Sequence, residues 1–120
     1  YLKKAVETAN ALATTNYNNN GILLNDRDAW TNAAFMGFFV KDVLPLDGIS
    51  SDVINLVKNT ALSIILNCRT EEGYYTAEWS GGLAWHKGDT KPEQIMTTST
   101  TIHMVCAAAL AEKLELFKSK

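Results

Sequence analysis

The fold turns on one stretch, Ala33-Ala34-Phe35-Met36-Gly37-Phe38-Phe39-Val40-Lys41-Asp42-Val43-Leu44, which runs straight into Pro45. At helical spacing its apolar residues go almost all the way round the axis. A helix without a polar stripe is stable only when it is covered on most sides. Asp28 or Thr31 can cap its start. Pro45 stops it, since proline has no N–H for the next turn.

A second helix of the same kind lies downstream. It enters from the Thr97–Thr101 run and continues through Ile102, Met104, Val105, Cys106 and Ala107 to Leu110 and Leu114, with little polar surface before Glu112. The polar residues 86–94, with Pro92 among them, read as a surface loop ahead of it. The other two helical segments are different. In the first, Leu2, Ala5, Val6, Ala9, Leu12 and Ala13 recur at intervals of three and four, while Lys3, Lys4, Glu7 and Asn10 fill the opposite face. In the third, after Asp47-Gly48 and capped by Ser50 or Ser51, the apolar face is Val53, Ile54, Val57, Ala61, Ile64 and Ile65. Its wet face is Asp52, Asn55, Lys58 and Asn59. The Asn-rich Asn16–Gly21 stretch favours a turn and left-handed backbone, and Ile22-Leu23-Leu24 reads as a short extended piece. Gly73-Tyr74-Tyr75-Thr76-Ala77-Glu78-Trp79 reads as a strand or hairpin loop between glycines.

One-faced helices therefore alternate with nearly all-apolar ones. Two concentric layers would produce this alternation, with outer helices wetting one face and inner helices covered by outer helices and neighbours. The expected fold is all-α: a segment of an (α/α)6 barrel, or toroid, of about four helices in two helical hairpins with a short β-hairpin loop. A free-standing four-helix bundle would give each helix a polar face, and two of these lack one. Standing alone, the chain is expected to expose apolar surface, which normally marks an interface.

Composition excludes several other classes. The 120 residues are 47% hydrophobic and 20% charged, with a formal net charge of -2. That composition suits one globular segment and gives no basic footprint for nucleic acid. No run of about 18 apolar residues is present to span a membrane. Cys68 and Cys106 sit among apolar neighbours and read as buried free thiols. Two cysteines make no disulfide framework, and neither a CxxC nor paired histidines suggest a metal.

Three segments, in order, resemble the C-terminal third of glycoside hydrolase family 76, the endo-α-1,6-mannanase family. Phe35-Met36-Gly37-Phe38-Phe39-Val40-Lys41 resembles that family's F-K-G-I-F-V-R helix. Tyr75-Thr76-Ala77-Glu78-Trp79-Ser80-Gly81-Gly82 is similar to its A-D-W-S-G-P loop. Thr97-Thr98-Ser99-Thr100-Thr101, entering an Ala-rich helix, is similar to its T-Q-x-S-A ending. The opening Tyr1-Leu2-Lys3-Lys4-Ala5 and Gly21-Ile22-Leu23 fit the hairpin before them, so the resemblance spans nearly the whole chain. It implies that residues 1–120 are one segment, the C-terminal third of a larger (α/α)6 glycoside hydrolase domain hydrolysing α-1,6-mannan-type glycans. It implies a secreted or cell-surface setting, a mannan-like polysaccharide as ligand, and no cofactor. The sequence also departs from the family. Its catalytic pair is two adjacent aspartates in an earlier hairpin, and this chain has no Asp-Asp. Met36 stands where Lys is usual, Lys41 where Arg is usual, Ala34 where Gln is common and Glu78 where Asp is common. No catalytic residue is carried over to this chain.

Glycoside hydrolysis uses two carboxylates, about 5–5.5 Å apart for retention or about 6.5–9.5 Å for inversion. Asp26 and Asp28 read as turn and cap residues. Glu78 beside Trp79 can meet sugar hydroxyls, or can fix the hairpin. Flat aromatic side chains stack on the apolar faces of sugars, so the substrate-binding candidates are Trp79, Glu78, Tyr75 and Trp85, with Tyr74 nearby and Trp30 ahead of the second helix. Each aromatic has a plainer role in capping the core. His86 reads as an ordinary surface residue and His103 as a core or rim histidine. Thr97–Thr101 reads as helix capping. The alternative reading of the chain is a non-catalytic helical domain that binds glycan or protein. In either case the apolar helices are expected to meet the remainder of a barrel or to self-associate.

Overall fold

The computed structural model describes residues 1–15, 18–23, 37–76, 78–81 and 90–118, except for the side chains of residues 91–93. It is mostly helical, with a small two-stranded antiparallel sheet. Helix α1 (Leu2–Ala11) tightens into a 3-10 turn at Leu12–Thr14. Ala9 is buried, and Val6, Leu12 and Ala13 are half-buried against the core. Asn10 anchors the helix: its Nδ2 donates to the Gly48 carbonyl at 2.9 Å, and its Oδ1 accepts the Ser50 N–H at 2.9 Å. A residue expected on the wet face is thus a two-point clamp.

Strands β1 (Asn18–Asn19) and β2 (Ile22–Leu23) pair with Asn18 opposite Leu23 and Asn19 opposite Ile22. Asn20 and Gly21 join them at φ 54 and 86. Positive φ at both central residues is the type I′ turn, whose twist suits a two-residue hairpin. The Leu23 N–H donates to Thr60 Oγ1 at 2.8 Å, and that hydroxyl donates to the Leu56 carbonyl at 2.6 Å. A single buried threonine thereby seats the hairpin on the next helix.

The second expected helix, read over 33–44, is described from Gly37 onward. Phe39–Val43 is a π-helical turn, in which the Leu44 N–H reaches back five residues to the Phe39 carbonyl at 3.0 Å. Phe39, Val40 and Leu44 are buried, while Lys41 and Asp42 face out. Phe38 stays 70% exposed.

Helix α2 (Ser51–Asn67) begins at Ser50, whose Oγ accepts the Val53 N–H at 3.4 Å. Val53, Ile54, Leu56, Val57, Ala61 and Ile64 are buried, and Asp52, Asn55, Lys58 and Asn59 are exposed. Ile65, expected on the apolar face, is exposed, as are Leu62 and Leu66. The N-terminal half of α2 is one-faced as expected; its C-terminal half leaves large apolar side chains open.

Helix α3 (Lys91–Lys113) starts earlier than expected. Residues 91–94 are its first turn rather than loop, with the Gln94 N–H donating to the Thr90 carbonyl at 2.9 Å. Proline is tolerated there because first-turn N–H groups lack helical partners in any case. Met104, Ala107, Ala108 and Ala111 are buried, while Ile95, Met96 and Ile102 are exposed. The helix ends with Glu115 at φ 62 and the Leu116 N–H bonded to the Ala111 carbonyl at 2.9 Å. This is a reversed last turn of the Schellman kind, made without glycine.

The helices, β2, the π turn and the 69–81 loop share one core, to which they give Ala9, Leu23, Val40, Ile64, Trp79 and Met104 among others. Apolar surface remains open on α3 and also on α2, which the sequence pattern gave a single buried apolar face. Cys106 corrects the expectation of two buried thiols: Cys68 is buried, Cys106 is exposed, and both are free. Among the described residues no helix is long and apolar enough to cross a membrane.

Candidate functional site

The aromatic loop is a strap across one end of the α2–α3 pair. Arg69 bridges to Tyr75 in antiparallel fashion, and the Thr70 N–H donates to the Tyr74 carbonyl at 2.8 Å. Gly73, at φ 91, makes the tight reversal between them. The Thr76 N–H then bonds the Cys68 carbonyl at 3.0 Å, tying the strap to the end of α2. A second reversal at Gly81, at φ 119, brings its backbone so near α2 that a Cβ there would lie 3.3 Å from Asn67 Cβ.

Helix α3 grips the strap with hydroxyls. Thr98 Oγ1 accepts the Tyr75 N–H and donates to the Tyr75 carbonyl, both at 3.1 Å. Thr101 Oγ1 donates to the Thr76 carbonyl and accepts the Trp79 indole N–H, both at 3.3 Å. From α2, Ser63 Oγ donates to the Trp79 carbonyl at 2.6 Å. The threonine run is therefore a clasp set inside the helix, not a cap at its start. The spacing of Thr98 and Thr101 puts them on one helix face, and that spacing was the available signal. Ser63 and Thr60, small hydroxyls within an apolar helix, were missed altogether.

The four substrate-binding candidates fare differently. Trp79 is 1% exposed, with its N–H satisfied and its ring inside the core, so it offers no face for a sugar to stack on. Its plainer role as a core plug is the one seen. Tyr75 is half-buried and Glu78 is exposed, and Tyr74 is half-buried beside them. Trp85 lies outside the described residues, as do Asp26, Asp28, Trp30 and His86. His103 is an exposed rim residue of α3, its Nε2 3.4 Å from where a Cβ on Gly37 would sit. At the strap the exposed carboxylates are Glu71, Glu72 and Glu78, with the phenols of Tyr74 and Tyr75 partly open. This set can hydrogen-bond hydroxyls. Glu78 alone supplies only one of the two carboxylates that hydrolysis requires.

Cys68 sits beneath the strap, its Sγ 3.1 Å from the Glu78 carbonyl. Burial pushes its thiol pKa up. The Glu78 carboxylate adds to the rise, while hydrogen bonds from the Gly81 backbone and Thr76 oppose it. A raised thiol pKa favours the protonated, folded form. Stability from this group is whole below the unfolded thiol value of about 8.5 and is lost as pH rises through the higher folded value. Denaturation midpoints are therefore expected to fall above that pH in the native chain, and less so in Cys68→Ala. In a thiol-labelling time course on the folded chain, Cys106 is expected to react at once and Cys68 only through unfolding.

A groove of about 420 Å³ lies between α2 and α3, lined by Lys58, Leu62, Ile65, Val105, Ala109 and Glu112 among others. The turn carrying Phe117 and Lys118 closes one end.

Compared with protein-family models, with curated proteins and with solved structures, the chain matches nothing in any of the three.

Proposed function

We propose that this chain is the C-terminal part of a glycoside hydrolase of the family 76 kind, acting on α-1,6-mannan-type glycans in a secreted or cell-surface setting. In this reading its helices complete an (α/α)6 barrel and its strap edges the glycan cleft, while the acid pair lies elsewhere in the barrel. One observation carries the reading: the three resembling segments meet on one helix. Gly37 abuts His103; Phe39 and Val40 share the core with Met104; and Tyr75–Trp79 is clasped by Thr98 and Thr101. The open apolar residues of α2 and α3 also suit helices that expect further neighbours.

The test begins with the coding sequence ahead of Tyr1. An adjacent Asp-Asp pair in a helical repeat is expected there, and the longer protein should release reducing ends from α-1,6-mannan. Absence of the pair, or no release by the longer protein, removes the hydrolase reading.

The alternative, a non-catalytic glycan-binding domain, is favoured by the exposure of Glu78 beside Tyr74 and Tyr75. In that case the chain alone binds mannan oligosaccharides. Glu78→Gln is then expected to weaken binding about tenfold, the loss of one charge-assisted hydrogen bond, with the melting temperature unchanged. Titration calorimetry showing equal affinity for both forms would remove Glu78 from the site.

A further inference from the structure

The α2–α3 face is complementary to itself, and we propose that the 120-residue chain pairs with a second copy through it, forming an antiparallel four-helix bundle about a twofold axis parallel to the two helices. This goes beyond the hydrolase reading and concerns the chain as it stands, with the face uncovered.

The geometry starts from chain direction. Cys68, at the end of α2, is joined through Thr76 to Thr101 of α3 by two hydrogen bonds. Lys58, about two turns from the start of α2, shares the groove with Glu112 near the end of α3. The two helices are therefore antiparallel, with Lys58 and Glu112 at the same end of the groove on opposite walls. Among the described residues neither forms an ion pair, and both are exposed.

A twofold axis running along the groove keeps height and exchanges left for right. It sets α2 of one copy against α3 of the other at the same level. Each Lys58 then faces the other copy's Glu112, so both charges gain partners in one operation. The apolar surfaces match in size as well. Leu62 and Ile65, large and half exposed, meet Ala109 and Val105, which are smaller. Large side chains entering positions left by small ones is the packing that bundle cores use. Every adjacent helix in the resulting bundle is antiparallel, which also suits the helix dipoles. The pairing is isologous, so it closes at two copies.

Charge reversal tests this without ambiguity. Lys58→Glu alone sets two carboxylates against each other at both contacts. Glu112→Lys alone sets two ammonium groups together there. In an equimolar mixture of the two variants, a mixed pair sets carboxylate against ammonium at both contacts, so the mixture should regain dimer; Lys58→Glu combined with Glu112→Lys in one chain likewise restores opposite charge at both contacts. Sedimentation equilibrium of the native chain is expected to show a dimer. Each single variant should dimerise about tenfold or more weakly, and the double variant should regain dimer to within about threefold of native. Leu62→Lys, a change at an exposed position, is expected to give a folded monomer by circular dichroism, which covers the event that a charge variant misfolds. A monomeric native chain, open-ended oligomers, a double variant no more associated than the singles, or a dimeric Leu62→Lys would each overturn the proposal. None of these outcomes bears on whether the longer protein cleaves mannan.

Discussion

Trp79→Ala is expected to cost about 3–5 kcal/mol, the range for emptying a buried aromatic site, which is a large share of the stability of a single domain. The ring is 1% exposed within the core. Its removal leaves a cavity between α2 and α3 and strips Thr101 of the indole N–H that it accepts. The carbonyl of residue 79 still has Ser63 to bond, but the strap would lose the mass that holds it down. Cys68 lies under the same strap, so its protection from thiol reagents is expected to fall in parallel with the unfolding midpoint. Trp79→Phe separates the two contributions: it keeps most of the volume and loses only the indole N–H. Urea unfolding followed by far-ultraviolet circular dichroism measures both variants. An alanine variant within about 1 kcal/mol of native would mean that the ring is not a core element.

Thr60→Val is expected to cost about 1–3 kcal/mol, the penalty for leaving a buried polar group unsatisfied. The substitution preserves shape and removes one oxygen. That oxygen accepts the Leu23 N–H at 2.8 Å and donates to the Leu56 carbonyl at 2.6 Å, and Thr60 is fully buried. The carbonyl lies in a helix and tolerates the loss. The Leu23 amide, at the end of a two-residue strand, depends on this hydroxyl, so the β-hairpin should loosen before α2 does. Amide exchange at Leu23 would accelerate far more than at Ile64, whereas Thr60→Ser, which retains the hydroxyl, should exchange at nearly the native rate. Equal acceleration at both amides would show that the hydroxyl does not tether the hairpin selectively.

Features governed by local rules were readable from the sequence. Helical periodicity marked α1, α2 and most of α3, and Pro45 marked the end of the helical run before it. Asn20-Gly21 announced a turn because few other residue pairs accept positive φ at both positions. Ser50 was one of two caps considered, and it is the one used. Features that depend on what lies opposite were not readable. Periodicity assigned Ile65 to the buried face, but the side that a helix buries is decided by its neighbours, and Ile65 stays 48% exposed. Trp79 looked like a ligand platform because loop tryptophans often are. Its burial follows from Thr101 and Ser63, partners distant in sequence that no local pattern connects to it. Lys91–Gln94 looked like loop because Pro92 was read as a breaker, although the first helical turn is where proline is harmless. Of the candidate site, the aromatic cluster was visible and its hydroxyl clasp was not.

The widened coil at Phe39–Val43 bears on how this chain can change length. In a regular helix, removing one residue swings everything beyond it by about 100° and turns core side chains outward. A π turn already carries one residue more than an α turn needs. Excising an outward-facing position such as Lys41 would let the backbone relax to ordinary spacing while Phe39 and Leu44 still face inward. The segment in front of Pro45 can therefore absorb a one-residue deletion that almost any other helical position would not survive.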